Sequence, residues 1–398
     1  MKVYLPAIQG YVPDGMVRTI HAFLEFCYIT RKNIIDTNNI NHLNAALDRF
    51  HQYREIFIMV GVRADFNLPR QHSLMHFAAL MRAFGAPNGL CSSITESKHI
   101  KAVKEPWRRS NCYQATIQMM TTNTHLDKLV AMRADFVRRG MLPATVKPPD
   151  AATDEEEDAD AVAGPCVTSS VQLTKKATRT NIEVRELAEE LIQPNFAQLI
   201  NGFLYEQLHP HSGSDSDSHL SAPQTLVNFR GTIDLYPSAQ AIFYAPSDLC
   251  GTGGMQKELI RAVPSWYCRP TRYDTVFVKT APDENGMLAL DAARVRLFFS
   301  LNFRSTVYPC ALVHWYQCID NVPNDTTGMW VVQPEVDKND RPLVAILHLD
   351  TILRASHLIP VFGTTTVPRG LSPAHSLDIF RAFYVNKFVD HHAFEIAF

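Results

Sequence analysis

The chain has 398 residues, of which 46% are hydrophobic and 20% charged, with a formal net charge of −2. That balance describes an ordinary globular protein with room for two or three domains, each able to bury its own core. No run of about 18 apolar residues occurs, so the sequence holds no candidate transmembrane helix. The opening residues, MKVYLPAIQGYVPDG, lack the apolar stretch and small-residue cleavage site of a secretory signal. A nuclear or cytoplasmic protein without membrane attachment is expected. Eight scattered cysteines with no C-x-x-C pair predict reduced, buried thiols rather than disulfides or a structural zinc site.

The near-neutral total conceals an asymmetry. Residues 1–150 carry a net charge of +8, residues 151–219 carry −9, and residues 220–398 carry −1. A basic N-terminal part joined to an acidic connector suits a module that binds a polyanion, although a solvated surface has the same composition.

In chain order, Asp14 can cap a helix to about Arg31, with Val17, Ile20, Phe23, Leu24, Cys27 and Tyr28 on one stripe. A second helix is predicted from Asn39 to Val60, with Leu43, Leu47, Phe50 and Phe57 facing the core. Leu68-Pro69 marks a break, and a third helix runs from His72 to Phe84, stopped by Gly85. Another begins near Ser93 and should end or kink at Pro106. A long amphipathic helix follows from Asn111 to Arg139, with Ile117, Met120, Leu126, Val130 and Phe136 on its apolar face, and Gly140 and Pro143 close this helical region of residues 1–142. Residues 143–180 are rich in Ala, Pro and Thr and include Asp154-Glu155-Glu156-Glu157-Asp158, a composition that predicts a disordered acidic linker. Two short helices, about 181–192 and 195–207, precede a Ser/Asp-rich loop at 209–221.

From about residue 223 the texture changes to strands: Tyr273–Lys279, Ala293–Phe303, Tyr308–Ile319, Met329–Val336 and Leu343–Leu349, divided by turn clusters at 283–286 and 323–325. A small barrel or sandwich is expected, finished by a helix from Ser376 to Val389. The fold class predicted is therefore α+β and multidomain, with a mostly helical N-terminal part and a mainly-β C-terminal domain.

Chemistry concentrates in FGAPNGLCSSITESKHIKAVKEPWRRS, residues 84–110. Glu96 stands beside Lys98, His99, Lys101, Lys104, Trp107, Arg108 and Arg109, with only Glu105 opposing them. Two readings of Glu96 compete. Ser93-Ile94-Thr95-Glu96 has the spacing of a capping box, in which the Glu reaches back to the first helical amides. A carboxylate is equally the residue type that a two-metal phosphoryl-transfer site recruits, but such a site needs several. Lys98, Lys101, Lys104 and Arg108 fall near helical spacing, so they can share one face up to the expected kink at Pro106 and contact phosphates, while Trp107 can stack on a base or pack inward. A solvated face fits the same spacing. His72 and His76 lie one helical turn apart, as zinc ligands do, but no Glu follows His72 as H-E-x-x-H requires, which favours structural histidines. Asp390-His391-His392 and Glu395 form a second cluster, read as docking the tail. Gly251-Thr252-Gly253-Gly254 lacks the Lys-Ser/Thr of a phosphate-binding loop and reads as a turn.

The segments VPDGMVRTIHAFLEFCYITRK (12–32), FHQYREIF (50–57), LPRQHSLMHF (68–77) and the 84–110 stretch resemble Plavaka-type transposases of the Kyakuja–Dileera–Zisupton group of fungal transposable elements. Segments of residues 272–398 are similar to the C-terminal region that accompanies that family. The resemblance implies the C-terminal piece of an RNase H-like core of a cut-and-paste DDE transposase, with Mg2+ or Mn2+ as cofactor and DNA as partner. Glu96 with His99 matches the family's Glu-x-x-His pattern, which makes Glu96 the candidate for the last catalytic, metal-binding acid. The family's first two catalytic aspartates belong on strands upstream of the residues present. Asp14, Asp36 and Asp48 sit in helical or loop context and are poor substitutes, so no catalysis is expected from this chain alone. The rival expectation is a protein- or chromatin-interaction module, with an aromatic pocket around Trp315, Tyr316 and Trp330 of the β-domain binding a protein partner. A metal-dependent hydrolase built on His72 and His76 would need a third ligand that the sequence does not offer.

Overall fold

The computed structural model describes residues 3–87, 99–142, 169–209, 227–248, 254–265, 270–281, 284–363 and 370–398. The protein is α+β, with a helical N-terminal region and a curled antiparallel sheet in the C-terminal part. It divides into two compact units: Met1–Ala83 together with Asp158–Phe398, and Phe84–Glu157. The helical region expected as one body over 1–142 is thus split near residue 84, and its first part shares a body with the sheet.

In the larger unit, α1 (Tyr4–Ile8), α2 (Asp14–Thr30) and α3 (Thr37–Tyr53) come first. Asp14 is the first helical residue of α2 and makes no capping bond; Pro13 precedes it. For α3 the cap is Asp36, whose carboxylate accepts from the Asn39 amide at 2.7 Å. The single helix expected to Val60 breaks after Tyr53, and α4 (Ile56–Met59) follows in a new direction that brings Phe57 over α2 and α3. The third helix starts earlier than expected, because Pro69 suits a first helical turn: α5 (Pro69–His72) passes through a 3-10 turn at Ser73–His76 into α6 (Phe77–Phe84). Gly85 at φ +88° supplies the left-handed stop. The apolar faces of these helices (Val17, Leu24, Phe26, Leu43, Phe50) close over Met329, Tyr384, Phe388 and Phe394 from the far end of the chain.

The spine of the β-structure is one long hairpin, β8 (Leu290–Phe303) and β9 (Thr306–Cys318). Its two halves carry different neighbours. The first half of β8 pairs with β7 (Thr275–Lys279) and its second half with β3 (Thr232–Tyr236). Likewise β9 pairs first with β11 (Val344–His348) and then with β10 (Val331–Pro334). A register shift between Val295 and Leu297 marks the bend between halves, as a bulge does. β12 (Ile352–Ser356) extends the sheet beyond β7; β14 (Phe383–Val385) and β13 (Leu358–Pro360) extend it beyond β10. A second, four-stranded sheet is ordered β1 (Ser169–Leu173), β4 (Ser238–Tyr244), β5 (Met255–Val263) and β6 (Arg272–Tyr273).

Period-two alternation explains why the hairpin reads as almost continuously apolar. Val295, Phe298, Ala311 and Val313 face the four-stranded sheet, where Ala239, Phe243 and Ile260 meet them. Phe299, Leu301, Cys310 and Leu312 face the other way, under α9 (Val184–Glu190) and α10 (Phe196–Leu208), numbered after α7 (Glu105–Arg109) and α8 (Ala115–Arg138) of the smaller unit. Both faces are therefore buried, and each completely buried phenylalanine contributes about 1.5–3 kcal/mol.

Two boundaries differ from expectation. The predicted linker ends too late: Ser169–Leu173 is strand β1, with Val171 buried against the core, and Arg179–Glu183 is strand β2 (paired with β3) where a helix was expected to begin. Residues 143–168 lie outside the described residues. The helix from Ser376 to Val389 is instead a four-residue helix, α11 (Ser376–Ile379), followed by strand β14 and a terminal helix α12 (His391–Ile396). Phe383-Tyr384-Val385 is a short apolar run that suits either structure locally, and the exposed ladder of β10 decides in favour of a strand. The small barrel or sandwich expected takes the form of a curled antiparallel sheet backed by a smaller one.

Candidate nucleic-acid interface

In the smaller unit, the chain from His99 to Arg109 is helical, with a π-helical turn at Ile100–Lys104 leading into α7. Pro106 neither ends nor breaks it. A proline here removes its own N–H and crowds the carbonyl four residues back, that of Ala102. The wider π turn relieves the crowding, and Asn123 of α8 donates Nδ2–H to the Ala102 oxygen at 2.8 Å. The helix runs on until Ser110, whose hydroxyl turns back to the Trp107 carbonyl at 2.8 Å. α8 is closed by Gly140 at φ +71°, where Met141 N–H bonds to the Phe136 carbonyl at 2.9 Å.

This helix positions the candidate residues. Lys104 and Arg108 are four apart and lie on one face, with Arg109 beside them; all three are exposed. None has an ion pair or hydrogen-bonded partner of its side chain among the described residues. Trp107 is 48% exposed, so its indole is available for stacking rather than packed inward. His99 is exposed at the start of the π turn, and Lys101 lies within that turn. Glu96 and Lys98, with the Ser93 capping box, lie outside the described residues. The stripe of α8 expected to pack inward is instead exposed at Ile117, Met120, Leu126 and Val130.

Among the described residues no group of three or more His, Cys, Asp or Glu is placed to hold a metal. Asp14 is exposed at a helix start, Asp36 is committed to its cap, and Asp48 is exposed on α3. One carboxylate with a neighbouring histidine does not furnish the six oxygen ligands that Mg2+ requires, so no metal-dependent step is assigned to these residues. His72 and His76 face each other edge-on at 5.3 Å between ring centroids and are both exposed, not core histidines. Cys112 is exposed, while Cys310 is buried and its thiol pushed up by burial.

Three buried charge clusters lie in the larger unit, and of their members only Asp390 and His392 were singled out from the sequence. Arg354 of β12 is 4% exposed; it reaches Glu258 of β5 at 3.1 Å and Asp390 at 2.7 Å, and stands 4.3 Å from the Phe243 ring centroid. Burial raises the Glu258 carboxyl against the pull of Arg354, whereas Arg354 and the Ala393 amide hold Asp390 below its usual range despite burial. His392 stacks on Phe243, and burial together with Arg354 pushes it down to about 4. Asp390 caps α12 through Ala393 N–H at 2.7 Å, so the terminal acid–histidine cluster does dock the tail. A second cluster joins Glu25 to His21, Arg49 and Lys387 at 3.2, 2.7 and 3.3 Å. Burial opposes ionisation of Glu25, but the surrounding donors and cations hold it far below the ordinary carboxylate range. These groups line a hollow of about 320 Å³ with Arg18 and Asp325, which are paired. The third cluster sets Arg294 against Asp378 beside Arg296 and His314; burial and the two arginines lower His314 to about 4. The signal missed in each case is an Arg or Lys inside an apolar run, as in ILRAS (352–356) and ARVRLFF (293–299).

The aromatic pocket that would mark a reader domain is not formed. Tyr316 and Trp330 are each 4% exposed and belong to the core with Phe383, and Trp315 packs against the opposite face of the sheet. Comparison with protein-family models, curated proteins and solved structures returns no match to this chain.

Proposed function

We propose that this is a transposon-derived protein, resembling the C-terminal part of a Plavaka-type DDE transposase, that contacts DNA backbones through the helix at 99–109 and has no catalytic activity of its own. The observation that carries the DNA-contact reading is the set of exposed cations Lys104, Arg108 and Arg109, without ion-pair partners among the described residues, around an exposed Trp107. Phosphates would take the cations, and a base or sugar would take the indole. Glu96 remains the candidate last acid of the transposase site, with Mg2+ or Mn2+ as its metal in a complete site. Among the described residues no helix is long and apolar enough to cross a membrane.

A salt titration of duplex affinity tests the reading. Each phosphate that is no longer neutralised should flatten the slope of log K against log salt by about 0.9. The Lys104→Ala/Arg108→Ala/Arg109→Ala variant is therefore expected to lower the slope by roughly 2–3. An unchanged slope removes the basic helix from the interface.

A further inference from the structure

Between α2, α3 and the loop after α4 lies a cleft of about 210 Å³ within the larger unit. Its walls are the rings of Phe23, Phe50, Phe57 and Phe66, and its charge comes from Arg54 and Arg63. Local sequence builds it simply. Ile20 and Phe23 lie on one face of α2, and Arg54, the C-cap of α3, lies one turn after Phe50. The break after Tyr53 turns Phe57 inward, and the 60–68 loop returns Phe66 and Arg63 to the rim.

Arg54 is held against the aromatic wall. Its guanidinium carbon stands 4.7 Å from the Phe66 centroid and 5.9 Å from that of Phe50. Nη1 donates to Gln71 Oε1 at 2.8 Å, and Nε is buried without a hydrogen bond, 3.9 Å from the half-exposed Glu55 carboxylate. An arginine has five N–H donors, so most of this one's capacity is unspent. Arg63 is exposed and has no hydrogen bond or ion pair among the described residues.

This combination discriminates among guests. A cationic guest, which aromatic cages otherwise favour, is repelled by two guanidiniums; Glu55, 3.9 Å from Arg54, is not among the lining residues and leaves Arg63 uncompensated. An apolar side chain would fill the slot but leave Arg63 and the remaining donors of Arg54 unanswered. A planar aromatic ring carrying an anion satisfies rings and cations together, by stacking and by charge-assisted hydrogen bonds. A second hollow of about 500 Å³ adjoins the cleft, sharing Arg54 and Phe66 with it and adding His51 and His72, so a neighbouring residue of a strand could lie there.

We infer that this cleft binds a nucleotide, with its base against the phenylalanine rings and its phosphate on Arg54 and Arg63. The site is built from other residues than the basic helix and does not rest on that reading. The nucleotide can be free or one unit of a single strand.

Calorimetric titration of the full chain with AMP, adenosine, inorganic phosphate and a short single-stranded oligodeoxyadenylate tests it. AMP should bind saturably and more tightly than either adenosine or phosphate. Arg63→Ala, at an exposed position, should weaken AMP about tenfold or more, as removal of a charged hydrogen bond does, and leave adenosine unchanged. Phe57→Ala should weaken both. Competition of the oligonucleotide with AMP assigns the site to a single strand, and AMP binding without competition assigns it to free nucleotide. AMP binding no tighter than inorganic phosphate, or unchanged in Arg63→Ala, overturns the inference. So does AMP binding that disappears in the Lys104→Ala/Arg108→Ala/Arg109→Ala variant. Because that variant is read out on duplex DNA for the basic helix and on AMP here, the two proposals fail separately.

Discussion

Arg354→Met isolates the charge cluster that ties the two sheets to the C-terminal helix. Arg354 is almost wholly buried, and it faces Glu258 on one side and Asp390 on the other. Methionine keeps much of the side chain's volume and its packing on Phe243, so cavity formation is a minor part of the change. What remains is two carboxylates without their common cation. Removing one partner of a buried pair costs about 3–5 kcal/mol because the other charge is left uncompensated. The protein can limit that penalty by protonating Glu258, whose carboxyl burial already raises. The sign then follows: a carboxylate with a folded pKa above its unfolded value binds more protons when folded. Its folded form is favoured below the unfolded pKa and loses stability as pH rises through the window between the two values, by up to about 1.4 kcal/mol per pH unit for one group. The variant should therefore fall further below the wild type at pH 8 than at pH 5 in urea denaturation. Adding Glu258→Gln should recover most of the pH-dependent part. A variant within about 1 kcal/mol of the wild type at both pH values would show that Arg354 does not hold the cluster together.

Other consequences are equally direct. Asn123→Ala should destabilise the helix pair of the smaller unit by about 1–2 kcal/mol, since it strips the Ala102 carbonyl of its donor; in Pro106→Ala, where the backbone N–H returns, the same change should cost less, and a double-mutant cycle by thermal denaturation that shows strict additivity would refute the link. His314 and His392, both held near pH 4 by burial, bind fewer protons folded than unfolded. Stability should therefore drop as pH falls from about 6.5 to 4, and His314→Gln/His392→Gln should flatten that limb of a pH series. The β8–β9 turn places Arg304 at φ +49° and Ser305 at φ +64°, a two-residue turn in the left-handed region. Ser305→Gly should stabilise by about 1 kcal/mol in denaturant titrations, because glycine adopts that conformation without the Cβ penalty.

The parts of this fold legible in the sequence are those where a periodic signal is long and its partner is close in the chain. α2 and α10 fall almost where their apolar spacing places them, and the strands of the β8–β9 hairpin do so too, because each strand displays β-branched and aromatic residues along its whole length. Short elements are different. Ser169–Leu173 sits at the end of a polar, Pro-rich stretch, and only pairing with β4 and burial of Val171 make it a strand. Phe383–Val385 is three residues long, too short for any period to show, and takes its conformation from the open edge of β10. The basic character of 99–109 is plain in the sequence, whereas continuity of that helix through Pro106 depends on a π turn and on Asn123, which lies 17 residues further along.

Composition, period and charge order by themselves determined the α+β class and the basic character of 99–109, since those are properties of neighbours along the chain. Tertiary structure alone decided that α1–α3 share a core with residues from the last fifteen positions of the chain, that Arg354 meets Glu258 and Asp390, and that Arg54 joins four phenylalanine rings in one cleft. Each of these is a juxtaposition whose energy comes from desolvation and packing, and none exists until separate segments have excluded the water between them.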